Sequence, residues 1–123
     1  MSKDISGVAK VEENLRSFAE KTIKAMVNGV TKFARTEMVE MKKRTPVDTG
    51  ELQDSGYVKM PRFVSGVMTC EVGFWAPHAL WVHEDLEAFH RVGEAKFMES
   101  VWKESAPYFL PRVTQSMQEE LGL

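Results

Sequence analysis

His83, Glu84, Glu87 and His90 come closest to metal chemistry in this chain, because on one continuous helix His83, Glu87 and His90 would share a face. The spacing is not the H-E-x-x-H of a zinc protease, and no second cluster completes four ligands. These side chains therefore read as solvated polar residues, and no metal or cofactor is expected. Cys70 is the one cysteine. It falls on the apolar side of a period-two pattern, where a thiol behaves as a small hydrophobe rather than a nucleophile. There is no G-x-S-x-G elbow, P-loop or G-x-G-x-x-G, so the expectation is a protein without catalysis. Lys42, Lys43 and Arg44 form a basic cluster at the end of a long helical pattern, where cations complement the carbonyl end of the helix dipole.

Composition limits the remaining classes. At 123 residues and 14.0 kDa the chain is long enough for one core and too short for two domains. It is 43% hydrophobic and 28% charged, ordinary values for a folded chain. A net charge of -2 gives no global basic field for nucleic acid. A single cysteine, no signal peptide and no apolar run of bilayer length point to a reducing cytoplasm and no membrane.

The elements that would position these residues follow from periodicity. Val8, Val11, Leu15, Phe18, Met26, Val30, Phe33, Met38 and Met41 recur at three- and four-residue steps, with Thr22 and Ala25 between them, and predict a helix over residues 1–43. Such a helix of about 35 residues or more is roughly 50 Å long, so one end should project beyond its own core and need a partner. Asn28-Gly29 leaves two options, a continuous helix or two helices folding back on each other. Pro46 ends the helix at about Lys43 or Arg44. Residues 44–54 are then a loop and one short helical turn, with Asp48 and Thr49 as competing N-caps and Gly50 allowing a tight entry.

Residues 55–75 predict a β-hairpin, because Met68, Cys70, Val72 and Phe74 alternate with Val67, Thr69, Glu71 and Gly73. A three-residue loop, Val64-Ser65-Gly66, would place Arg62 opposite Met68, Met60 opposite Cys70 and Val58 opposite Val72, with Gly66 as a left-handed bulge residue. Residues 76–123 would carry a short helix from Pro77 to His83, an untyped stretch over 85–92, and C-terminal helices packed on the sheet. Ala95, Met98, Val101, Trp102 and Ser105, with Phe97 beside them, trace the first. Pro107 and Pro111 should interrupt it, leaving Leu110, Val113, Met117 and Leu121 as the apolar side of a last helix. The fold class is α+β.

Arg44-Thr45-Pro46-Val47-Asp48-Thr49-Gly50-Glu51-Leu52 resembles the R-x-P-V-D-T-G-x-L signature of a family of tailed-bacteriophage neck and tail-completion proteins. In that family a long N-terminal helix, this loop, a hairpin, a Y-A-x-x-V-E-x-G segment and C-terminal helices follow in the same order. Pro77-His78-Ala79-Leu80-Trp81-Val82-His83-Glu84 is similar to the fourth element, although Asp85-Leu86 replaces the glycine-threonine that usually follows. The likeness runs over roughly residues 10–120.

The resemblance implies a virion component assembled in the bacterial host cytoplasm and placed at the head-tail junction. Its partners would be copies of itself in a hexameric or dodecameric ring, together with connector, tail-terminator or tail-tube proteins, and DNA would only pass through the lumen. The signature residues Arg44, Pro46, Val47, Asp48, Thr49, Gly50 and Leu52 then have a structural role. Phe33, Met38, Met41, Phe74, Trp75, Leu80 and Trp81 are the candidate interface, with the long helix packing on a neighbour's hairpin or its 74–82 segment. The competing readings are a small metal- or thiol-dependent enzyme of a mobile element, using His83, His90 or Cys70, and a nucleic-acid-binding regulator.

Overall fold

Between Ser2 and Arg44 there is no proline, and the apolar positions keep helical spacing throughout. In the computed structural model, which describes residues 2–46, 50–76 and 96–123 and the side chains from residue 7 on, this stretch is one helix, α1 (Ser2–Arg44). Its 43 residues make a rod about 64 Å long. Thr22, Thr31 and Thr36 donate their hydroxyls to the carbonyls of Phe18, Val27 and Lys32, so they sit in the helix without an unmet polar group. Of the two options at Asn28-Gly29, the helix runs on unbroken. Gly29 is buried, and a Cβ there would lie 3.3 Å from both Cγ1 and the carbonyl oxygen of Val113. The missing side chain permits a close helix crossing.

The end of α1 is tied down by its own loop. The Lys42 carbonyl accepts from the Thr45 backbone N–H at 3.3 Å and from Gln53 Nε2 at 2.9 Å, and Thr45 Oγ1 donates to the Met41 carbonyl at 2.7 Å. These bonds satisfy carbonyls that a helix terminus otherwise leaves open. A single turn follows, α2 (Glu51–Asp54), whose N-cap is Gly50 at φ +82° with no side-chain cap. That left-handed φ is why a glycine stands there. Val47 and the expected caps Asp48 and Thr49 lie outside the described residues.

The hairpin is built from four short strands, β1 (Gly56–Val58), β2 (Arg62–Val64), β3 (Val67–Thr69) and β4 (Val72–Phe74). They pair as two antiparallel two-stranded sheets, β1 with β4 and β2 with β3. Val58 faces Val72 as the sequence predicts, but the tip is shifted by one residue: Arg62 faces Thr69 and Phe63 faces Met68. The expected three-residue loop is in fact a two-residue turn, Ser65-Gly66, with φ of +51° and +79°. Two positive φ values in succession mark the turn whose twist suits adjoining strands. The extra residue is absorbed lower down, where residues 59–61 oppose 70–71. Pro61 has no N–H to give the ladder, so the bulge forms beside it.

The short helix expected from Pro77 and the untyped 85–92 stretch lie outside the described residues. The C-terminal part departs from expectation more strongly, since a single helix, α3 (Phe97–Leu121), runs through both prolines. Lys103, Pro107 and Pro111 are all exposed and sit at four-residue steps, so the bonds that the prolines delete fall on the solvent side. Packing on the opposite side carries the helix across the gap. Pro107→Ala should therefore raise the thermal midpoint, restoring up to about 3 kcal/mol of helix stability; a lower midpoint in a melting experiment would contradict this account of α3.

α3 packs along α1 more than on the sheet, so the sequence's sheet-packed C-terminal helices become one helix lying on a helix. Two apolar clusters result. The first joins Met38, Met41, Leu52, Ala76, Phe97 and Val101, with Val58, Val72 and Phe74 at its edge. The second joins Val30, Phe33 and Val113, with Met26, Met68 and Phe109 packed against it.

Candidate functional site

The described ends of the signature stretch tie neighbouring elements together. Leu52 is buried in the first cluster, and Pro46 and Thr45 are buried beside it. Arg44 Nε donates to Glu40 Oε1 at 3.2 Å, and its Nη2 donates to Glu104 on α3. Glu104 holds the Arg44 guanidinium firmly charged, and the same contact draws the Glu104 carboxyl below the usual carboxylate range. The basic cluster therefore does more than complement a helix dipole, since Arg44 fastens the end of α1 to α3.

The candidate interface residues divide sharply. Phe33, Met38 and Met41 are buried within the chain, so their apolar surface is already covered. Phe74 is half-buried and meets Phe97 edge-on, with ring centroids 5.1 Å apart. Trp75 is 68% exposed and lies against Tyr57, with centroids 4.8 Å apart. Leu80 and Trp81 lie outside the described residues, as do the candidate ligands His83, Glu84, Glu87 and His90.

The larger apolar surface is one that the sequence reading used only to define a helix. Every residue from Gly7 to Lys21 is exposed, and Val8, Val11, Leu15 and Phe18, each between 56% and 63% exposed, form a continuous stripe. The projecting end of α1 is its N-terminal half. The signal for this is the run of small residues Ala25, Gly29 and Ala34, all buried, which marks where α3 lies against α1. Asn28 Nδ2 donates to Glu120 Oε1 at 2.6 Å near the far end of that contact.

Glu37 is the one buried acid among the described residues, at 6% exposure. The single proton of the Ser105 hydroxyl is shared between Glu37 Oε1 and the Val101 carbonyl, while Oε2 is buried with no hydrogen-bond partner among the described residues. Burial pushes its pKa above the ordinary value of 4.5, against the opposing pull of the Ser105 bond and of Arg112 and Arg44. A cavity of about 340 Å³ opens on one side, lined by Thr36, Ser105, Tyr108 and Arg112 among others. Another of about 300 Å³ opens on the other side toward Met68, Cys70 and Trp102. The Cys70 thiol donates to the Lys59 carbonyl at 3.3 Å, and burial raises its pKa, a poor state for a nucleophile.

Among the described residues no three His, Cys, Asp or Glu side chains are grouped to hold a metal ion, and no helix is long and apolar enough to cross a membrane. No family model, curated protein or solved structure matches the chain.

Proposed function

We propose that this protein is a structural component of a tailed-phage head-tail junction, acting through self-association into a ring and through binding of connector and tail proteins, without catalysis. The observation that carries the reading is the uncovered stripe Val8, Val11, Leu15 and Phe18 on the projecting half of α1. Covering four side chains that are each more than half exposed would contribute roughly 3–7 kcal/mol, which offsets much of the cost of association and makes the stripe one part of a larger interface. The Arg44–Leu52 likeness to the neck-protein signature supplies the phage assignment. The ties that Arg44 makes to α3 and Leu52 makes to the first cluster suit a part whose work is geometry. In a closed ring each subunit presents two different patches, and the stripe is one of them.

Leu15→Asp combined with Phe18→Asp tests this reading. Both residues are exposed, so circular dichroism and the thermal midpoint should stay unchanged. Wild type, alone or mixed with a connector or tail partner, should form rings visible by electron microscopy and heavy by light scattering, and the double variant should remain monomeric. A wild type that stays monomeric at high concentration and with either partner would sink the proposal, as would a double variant that assembles normally.

A further inference from the structure

We infer that the seam between α1 and α3 is a proton-operated latch, with Glu37 as the titrating group: protonated, it closes the two helices on each other, and ionised, it loosens them. The inference is independent of the phage reading.

Three observations converge at this point of the fold. Glu37 lies between the two apolar clusters, level with Phe33 and Ser105, where the helices leave a cavity on either side. One of its oxygens is satisfied by Ser105 while the other is buried without a partner. A neutral carboxyl tolerates that arrangement, whereas a carboxylate must draw in water or a donor. The stretch of α3 beside it carries Pro107 and Pro111 on its solvent side, where they remove two backbone bonds and leave that part of the helix held by its packing on α1. The hydroxyls of Thr36, Ser105 and Tyr108 line the larger cavity and give entering water its partners.

The charged groups around the seam set the direction. From α3, Arg112 and Glu104 line the same cavity, and Arg112 lies over the Tyr108 ring at 5.3 Å. From α1 come Glu40, Lys43 and Arg44, with Arg44 already bonded to Glu40 and Glu104. From the hairpin side the titratable neighbour among the described residues is the Cys70 thiol. Burial outweighs the two arginines, so Glu37 titrates above 4.5 in the folded chain. Below 4.5 both folded and unfolded chains hold this proton and the seam is fully stable. As pH rises through the folded value, the folded chain must give up a proton that the unfolded chain has already released, and the seam weakens.

The test is hydrogen exchange of the α3 amides across 105–113 between pH 4 and pH 8, corrected for intrinsic rates, in wild type and Glu37→Gln. Protection in wild type relative to the variant should fall with rising pH, by about ten-fold for each unit of displacement of Glu37. Identical pH dependence in the two proteins overturns the latch. A carbon-detected titration of the Glu37 carboxyl in wild type, and in Ser105→Ala, stands even if Glu37→Gln does not fold. The latch requires a midpoint above 4.5, moved higher still by loss of the Ser105 donor; a midpoint at or below 4.5 refutes it, as does one that Ser105→Ala leaves in place.

Discussion

Phe97→Ala is expected to remove about 3–5 kcal/mol of stability, a larger loss than any other substitution proposed for the described residues. Phe97 is fully buried, opens α3, and meets Phe74 edge-on, so it joins the C-terminal helix to both the sheet and the first cluster. The residue before it, Lys96, holds φ +55° and provides no side-chain cap of its own. Against a typical total of 5–15 kcal/mol, such a loss is a large fraction of the whole. Urea unfolding should show a lower midpoint with little change in slope. Phe97→Leu should lose much less, and equal losses for the two would show that the ring's shape is not what matters.

Gly29→Leu is the second large expected effect. A Cβ at this position already lies 3.3 Å from Cγ1 and the carbonyl oxygen of Val113, and 3.6 Å from Ser116 Cβ. The backbone of α3 cannot retreat from a branched side chain without lifting off α1, and overpacking of this kind costs about 1–3 kcal/mol or more. Gly29→Ala sets the scale. The helix gains about 1 kcal/mol from alanine's propensity, opposed by an overlap of a few tenths of an ångström, so its midpoint should stay near that of wild type. The two substitutions together separate a crossing that needs glycine's small size from one that merely tolerates it. A Gly29→Leu protein as stable as wild type would contradict the observed packing.

The contrast at Gly29 also shows what a sequence can and cannot disclose. The three- and four-residue spacing of α1 was legible because one amphipathic stripe runs its whole length, and Pro46 marked its end. The stripe does not say which half is covered, since Val11 and Phe33 have the same character in the sequence and opposite fates in the fold. The prolines of α3 misled for a physical reason. Local chemistry forbids neither helix nor break at Pro107, and the decision rests with the packing of Val101, Phe109 and Val113 on α1. The hairpin was visible in its alternation. Its register at the tip turned on Pro61 taking up an extra residue, which alternation alone does not register. Glu37 was hidden entirely, because an acid within a helical stripe looks like an ordinary interruption until Ser105 of another helix is brought beside it.

The length of α1 has one mechanical consequence. Beyond the buried Ala25 the helix extends over residues 2–24, an arm of about 33 Å whose side chains from Gly7 to Lys21 are all exposed. Tilting that arm by ten degrees about the support carries its tip sideways through roughly 6 Å. Anything seated near Val8 would be carried sideways with it, while the side chains at the fulcrum shift by less than a bond length. A small change of crossing angle at Gly29 would thus appear at the tip as a displacement set by the length of the arm.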